Sequence, residues 1–279
     1  MLRSMYIATS TMGQLQQKLD VVSNNISNVD TNGFKKREAS FGSLLTQQLD
    51  NGPSEIYEPN TARETPLGIR AGTGAYMNGT KLILDAGSIK QTGRALDIAL
   101  SNEKQFLQVA VTKNGETQTM YSRDGALQLA ATTNPDFFAL TNSEGYPIIG
   151  ENGNIFIPVN STDIKINQNG EILVTGANGE TSSQRLAVVE MIQPQILQNE
   201  GGNLYRLPEE NALTATMGQL VQNVQPENIG LQVGALEGSN VDMGNEMSEL
   251  MLTQRAYQFN SRAVTMSDQM LGLVNNLRS

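Results

Sequence analysis

The amino-acid sequence predicts an α+β chain: N- and C-terminal helices pair as a coiled-coil base, and a central, mainly antiparallel β domain fills the middle. Three observations carry this. Apolar residues at both ends recur every seven positions. The middle is cut into short β-branched runs by Asn-Gly and Asp-Gly pairs. Two polar stretches bearing proline and glycine separate the ends from the middle. The expected partition is 1–35 with 240–279 as the helical core, 36–72 and 208–239 as connectors, and 73–207 as the β domain.

The N-terminal segment justifies a helix by its spacing. Met5, Met12, Leu19 and Ile26 form one set, and Ala8, Leu15, Val22 and Val29 the other, so that both fall on a single seam. Asn32-Gly33 is the expected left-handed closure of that helix. Lys35, Lys36 and Arg37 follow, most simply as a solvated helix exit or a contact to an acidic neighbour.

The C-terminal segment from Asp242 to Leu277 carries two stripes. Leu252, Ala256, Phe259, Ala263, Met266, Met270, Leu273 and Leu277 form the longer one. Met243, Leu250, Tyr257, Val264 and Leu271 form the second, about 140° around the helix at 100° per residue. A two-helix hairpin covers one stripe only. The longer stripe is expected to pack in the chain's own core, and the second to require another chain.

In the middle, β-type runs lie at Leu96 to Leu100, Phe106 to Thr112, Ile155 to Val159, Ile164 to Ile166, Ile172 to Thr175 and Leu186 to Ile192. Turn pairs recur between them, among them Asn114-Gly115, Asp124-Gly125, Asn152-Gly153 and Asn169-Gly170. This regularity suggests a sandwich or irregular barrel.

Composition removes whole classes of chemistry. The 279 residues include no His, Cys or Trp. Triads, thiol nucleophiles, disulfides and His-ligated zinc are therefore impossible. The formal charge is −9, which argues against a nucleic-acid groove. That charge is concentrated: residues 124–254 hold 16 acidic and 3 basic side chains. Gly72-Thr73-Gly74 lacks the Gly-Lys-Ser/Thr of a phosphate loop, and no turn carries the acidic ligands of a calcium loop. No cofactor is expected and no catalytic residue can be named. No apolar run reaches the roughly 18 residues of a membrane span, so no membrane insertion is expected. The first twenty residues lack the apolar core of a cleaved signal peptide.

Both ends resemble the flagellar axial proteins of the rod and hook group. At the N-terminus the likeness rests on Leu19-Asp20-Val21-Val22-Ser23-Asn24-Asn25-Ile26-Ser27-Asn28-Val29 and on Thr31-Asn32-Gly33-Phe34-Lys35. At the C-terminus it rests on Leu236-Glu237-Gly238-Ser239-Asn240-Val241-Asp242, Gln254-Arg255-Ala256-Tyr257, Asn260-Ser261 and Asp268-Gln269-Met270-Leu271. In the middle, Tyr121-Ser122-Arg123-Asp124-Gly125 resembles the family's Tyr-Thr-Arg-Asp-Gly turn. One departure is that Glu103-Lys104-Gln105 stands where the family usually has Gly-Asp-Gly. Within the group the chain looks most like the distal rod protein or a paralogue of it.

The resemblance implies a structural subunit of the bacterial flagellar rod. Such a subunit is exported without a cleaved signal by the flagellar secretion apparatus. It then stacks helically, outside the cytoplasmic membrane, with copies of itself and other rod and hook proteins into a hollow torque-transmitting shaft. The assembly interface then comprises Met5, Met12, Leu15, Leu19, Val22, Ile26, Met243, Leu250, Leu252, Tyr257, Phe259, Val264, Met266, Met270 and Leu271. Asn24, Asn25, Asn28, Thr31, Gly33, Phe34, Lys35, Ser239, Asn240, Val241, Gln254, Arg255 and Asn260 carry the family motifs. Another hook–basal-body axial protein, a non-flagellar coiled-coil surface or tube subunit, and a secreted carboxylate hydrolase are the competing readings.

Overall fold

The computed structural model describes residues 2–43, 46–49, 69–72, 75–113, 115–177, 179–208 and 220–278. Gly72 is described, but Thr73 and Gly74 lie outside these residues, as does Asn114. The chain forms two compact units. One comprises 1–24, 38–81 and 244–279; the other comprises 25–37 and 82–243.

The first unit holds the two long helices, α1 (Leu2–Ser27) and α2 (Met243–Arg278). On α1 every position of the predicted heptad seam is covered: Ala8 and Val22 are buried, and Met5, Met12, Leu15, Leu19 and Ile26 are half-buried. Tyr6, off the seam, is 74% exposed. The helix stops at Ser27, short of the expected glycine closure, and Asn28–Asp30 turn away. Lys18 of α1 ion-pairs with Glu249 of α2 and lies 5.5 Å from the Phe41 ring centroid.

Residues 36–72 are more than a connector. They contribute β1 (Arg37–Ser43), β2 (Thr46–Leu49) and β3 (Ile69–Gly72), and β1 pairs with β4 (Ala75–Leu82). Gln14 of α1 accepts the Met77 amide of β4 at 2.6 Å, which ties this ribbon to the helix. The ribbon therefore falls in the helical unit, whereas 25–37 falls in the β unit. These ties are hydrogen bonds, which leave no mark in local composition.

On α2 the large residues of the two stripes largely exchange their expected places, although Met243 of the second stripe is exposed and Ala256 and Ala263 of the longer one are half-buried. Leu250, Tyr257, Val264 and Leu271 are half-buried, with Thr253 and Ser267 buried between them. The longer stripe faces out: Leu252 is 60% exposed, Phe259 72% and Leu273 64%, and Met266 and Met270 are also exposed. The covered face thus mixes four large apolar residues with Thr253, Asn260 and Ser267. Each of these polar groups donates to its own helix. Thr253 donates to the Glu249 carbonyl at 2.7 Å, Asn260 to Ala256 at 2.9 Å and Ser267 to Ala263 at 2.8 Å. The Thr253 and Ser267 hydroxyl protons are thereby used on their own helix, so these two side chains can be covered without an unmet donor, while Asn260 keeps further amide capacity and is only half-buried. No described helix is long and apolar enough to cross a membrane.

The second unit is built on a six-stranded antiparallel sheet. Its central hairpin is β5 (Gln105–Lys113) with β6 (Glu116–Ser122), paired from Leu107–Ser122 to Lys113–Glu116. Beside β5 lies the strand Val188–Met191, and beside β6 the strand Leu204–Arg206. Period-2 alternation sends Leu107, Val109, Met120 and Val188 to one face, where they join Leu140, Ile148, Ile155, Ile157, Ile172 and Leu186. It sends Phe106, Tyr121, Val189 and Tyr205 to the other, beside Leu82, Leu197 and Leu207. With both faces covered, the sheet is a core and not a surface. Two three-stranded antiparallel sheets are inserted in sequence between its strands 116–122 and 188–191: 128–131, 137–141 and 156–158, and then 161–166, 171–176 and 181–185. Several small sheets replace the single sandwich or barrel that the turn spacing suggested.

Candidate functional site

The sequence motifs converge on a buried ion cluster within the β unit. Lys35 and Arg123 are fully buried, and Glu237 is 3% exposed. Lys35 Nζ donates to Glu237 Oε1 at 2.6 Å and to the Asp85 carbonyl at 2.7 Å. Arg123 grips the other carboxylate oxygen with Nε at 3.0 Å and Nη2 at 2.7 Å. The Gly87 amide donates to Oε1 at 3.1 Å. One carboxylate thus neutralises two cations, and charge-assisted bonds occupy both its oxygens.

Arg123 has further support. Its Nη1 donates to the carbonyls of Asn102, Glu103 and Gln105 at 3.0, 2.7 and 2.8 Å. Its Nη2 reaches the Leu100 carbonyl at 3.4 Å. The turn at Glu103-Lys104-Gln105, where the sequence departs from the family pattern, is what presents these carbonyls. Asn102 closes it by accepting the Lys104 amide at 3.1 Å. The guanidinium also lies 5.6 Å from the Phe106 ring centroid, and Phe106 packs edge-on against Tyr205 at 5.8 Å.

The electrostatics follow from burial. Burial alone pushes the Glu237 carboxyl up, but the charges of Arg123 and Lys35, with the hydrogen bonds from Lys35 and Gly87, outweigh it and hold the pKa below the ordinary glutamate value. Burial, and then the Arg123 charge, hold the Lys35 ammonium below the ordinary lysine value against the pull of Glu237. Burial raises the Tyr205 hydroxyl to about 12, so it stays protonated at neutral pH.

Backbone and amide contacts extend the cluster to both chain ends. The Gly33 amide donates to the Glu237 carbonyl at 2.7 Å. Gly33 has φ +71°, and a Cβ there would lie 2.5 Å from the Arg123 carbonyl oxygen, so both the turn and the close approach require glycine. Asn240 accepts the Lys36 amide at 2.8 Å and donates to the Ile83 and Asp85 carbonyls at 2.9 and 3.1 Å. Asn25 exchanges two hydrogen bonds with the Arg37 backbone, at 2.9 and 3.1 Å. Phe34 is 3% exposed. Thr31 donates to Asn28 at 3.2 Å, and Ser239 accepts the Val241 amide at 3.3 Å.

The motif residues therefore divide. Asn25, Gly33, Phe34, Lys35 and Asn240 meet at the cluster, with Asn28, Thr31, Ser239 and Val241 beside it in the chain. Asn24, Gln254 and Arg255 are exposed, and Asn260 is half-buried on α2. Glu237 and Arg123, the centre of the cluster, lie within family-like motifs, and nothing in their local sequence assigns them a role. Lys35, expected as a solvated or neighbour-facing charge, is buried. Only Glu237 stands as a lone charge in an apolar and glycine-rich setting; Lys35 is masked by Lys36, Arg37 and Glu38 beside it, and Arg123 by Asp124.

Near the cluster, a polar hollow of about 400 Å³ is lined by residues that include Asp30, Asp124, Ser143 and Glu144. Burial and the Asp124 charge raise the Glu144 carboxyl. No group of three or more metal-ligating side chains occurs among the described residues. The ion pairs and hydrogen bonds that seat Lys35, Arg123 and Glu237 all run within the chain and join three distant stretches of it.

Comparison with known proteins shows the family. Three family models match: "Flagella basal body rod protein" over residues 5–35, "Flagellar hook protein FlgE/F/G D1 domain" over 102–174, and "Flagellar basal body rod FlgEFG protein C-terminal" over 232–277. The flagellar hook-basal body complex protein FlhP of Bacillus subtilis (strain 168) is 42% identical over the whole of both chains. The flagellar basal-body rod protein FlgG of the same organism is 31% identical, again over the whole of both. FlgG of Borreliella burgdorferi is 31% identical over 100% of this chain and 99% of its own. The chain belongs to the flagellar basal-body rod and hook protein family, whose members are structural proteins and not enzymes.

Proposed function

We propose that the chain is an axial subunit of the flagellar rod within the hook–basal body. It is exported by the flagellar secretion apparatus and assembles helically, with copies of itself and other rod and hook proteins, into a hollow torque-transmitting shaft outside the cytoplasmic membrane. The single observation that carries the assembly reading is the outward stripe on α2, from Leu252 through Phe259 and Met266 to Leu273. The chain leaves a 36-residue helix with a continuous apolar stripe open, its Leu252, Phe259 and Leu273 each at least 60% exposed, whereas the exposed apolar residues of the β unit, such as Phe137 at 41% and Phe156 at 39%, are covered more fully.

In this reading α1 and α2 pair through the α1 seam and the Leu250–Tyr257–Val264–Leu271 stripe, with the Lys18–Glu249 ion pair at their contact. Terminal helices of neighbouring subunits cover the outward stripe. Full burial of such a side chain contributes about 1.5–3 kcal/mol, so covering residues that are about half exposed contributes on the order of 1–2 kcal/mol apiece before ordering costs. Full-length identity to FlhP and to FlgG supports a rod position over a non-flagellar tube.

Mass spectrometry of purified hook–basal bodies, beside the culture supernatant, tests the proposal. Recovery at many copies in the basal bodies is expected. Recovery in the supernatant alone would overturn it.

A further inference from the structure

We infer that the Lys35–Glu237–Arg123 cluster is a latch that closes in a fixed order, so that rooting of the N-terminal helix depends on prior seating of the segment leading into the C-terminal one. The inference concerns the chain's own folding and stands whether or not the assembly reading does.

The argument rests on how unequally the three side chains are held. Arg123 belongs to the β core. Four backbone carbonyls from one short stretch, Leu100 to Gln105, hold its guanidinium without help from either chain end. Glu237 comes next. Its two bonds to Arg123 and one from the Gly87 amide seat it on the core independently of Lys35. Its strand, Ala235–Glu237, also pairs with Ile89–Gln91, and the following Gly238 amide donates to Ser88 at 2.7 Å. Lys35 is held least. It has the Asp85 carbonyl and Glu237, and the guanidinium beside it repels it.

Removing Lys35 therefore leaves Glu237 seated on Arg123. Removing the Glu237 charge does more: it leaves two buried cations in one site with no counter-ion, an arrangement whose cost is met by expelling one of them. Arg123 is fixed by its carbonyls, so Lys35 is the one that leaves. With it go the bonds that tie the N-terminal end to the C-terminal segment, from the Gly33 amide to the Glu237 carbonyl and from the Lys36 amide to Asn240, while Asn203 still donates to the Asn32 carbonyl at 2.8 Å and the Ile83 amide to the Lys36 carbonyl at 3.0 Å. The contacting residues are 202 positions apart for Lys35 and Glu237, and 114 for Arg123 and Glu237. This part of the N-terminal root thus waits for a residue far along the chain.

Hydrogen exchange read by mass spectrometry on the full chain tests the order, comparing wild type, Lys35→Met and Glu237→Gln. Peptides covering 33–37 report the N-terminal root, 235–240 the C-terminal root, and 105–122 the core. Lys35→Met is expected to speed exchange in 33–37 at least tenfold and to leave 235–240 and 105–122 protected. Glu237→Gln is expected to release 33–37 at least as far as Lys35→Met does and to loosen 235–240 only in part, because its strand pairing with Ile89–Gln91 and the Gly238–Ser88 bond remain, with 105–122 protected. Equal release of both roots by Lys35→Met would overturn the order. So would a protected 33–37 in Glu237→Gln. Loss of protection over 105–122 in either variant would overturn it too, because the cluster would then be part of the core and not a latch upon it.

Discussion

The six-stranded sheet and α2 handle apolar surface in opposite ways. In the sheet, alternation delivers Leu107 and Val109 to one covered face and Phe106 to the other, and all three are inaccessible to solvent. On α2 the covered side carries Thr253, Asn260 and Ser267 among its apolar residues, while Leu252, Phe259, Met266 and Leu273 face out. The sheet is finished within one chain. On the proposed reading the helix is not, and helices of neighbouring subunits complete it. Variants that affect one region and spare the other measure how separate the two are.

The largest expected effect falls on the helix. Phe259→Asp with Leu252→Asp places two charges on the open stripe, where a neighbouring helix would have to desolvate them. Incorporation into hook–basal bodies, read by immunoblotting of purified particles, is expected to fall more than tenfold. Exchange protection over 105–122 is expected to stay at the wild-type level. Normal incorporation would assign the open stripe to solvent and return the assembly contact to Leu250 and Val264, the positions favoured by the sequence alone.

The reciprocal variant strikes the sheet. Leu107→Ala removes a fully buried side chain from a packed core and is expected to cost about 2–5 kcal/mol, as large-to-small core changes do. Urea unfolding followed through exchange of 105–122 measures it. A cost under 1 kcal/mol would mean that the two-faced core collapses around the gap and is less tightly packed than its burial suggests.

Acid titration probes the cluster itself. The folded-state pKa of Glu237 lies below its unfolded value of 4.5, so the carboxylate contributes stability that is fully present above that value. This stability is lost as the pH falls through the depressed folded pKa. Lys35, whose folded pKa lies below 10.5, acts in the alkaline range: its ionised form is disfavoured by folding, and its burden is relieved as the pH rises through the folded pKa toward 10.5. Exchange in 33–37, corrected for intrinsic rates, is expected to accelerate below pH 4.5 in wild type. In Glu237→Gln it is expected to be fast already at pH 7 and to change less. Parallel profiles would place the acid sensitivity in other carboxylates.

The sequence made parts of both regions legible, and the reason differs for each. Heptad spacing exposed both helices, and turn dipeptides exposed the strands, because those signals are local. The facing of α2 was not legible. A seam was sought among large apolar side chains, whereas the covered face alternates Leu250, Tyr257, Val264 and Leu271 with self-satisfied polar residues. The cluster was half legible. Gly33, Lys35 and Asn240 lay inside recognised motifs, but Lys35 finds its carboxylate 202 residues away, beyond anything local pattern can report. The helix end at Ser27, six residues before Gly33, has the same origin. Gly33 adopts its left-handed conformation to reach the Glu237 carbonyl and the Arg123 backbone, not to cap α1.

The smallest expected effect sharpens the comparison most. Thr253→Val keeps the branched shape of a buried residue and removes a hydroxyl whose bond goes to Glu249 of its own helix. If the covered face of α2 is apolar in practice, its hydroxyls being spent on their own backbone, the substitution changes stability by less than about 1 kcal/mol, the net worth of one such bond. Thermal unfolding of the full chain followed by far-UV circular dichroism measures it. A loss of 2 kcal/mol or more would mean that the hydroxyl also serves a group on the element packed against it. The inner face would then be a polar, register-setting contact, and the contrast with the sheet would lie in chemistry as well as in completeness.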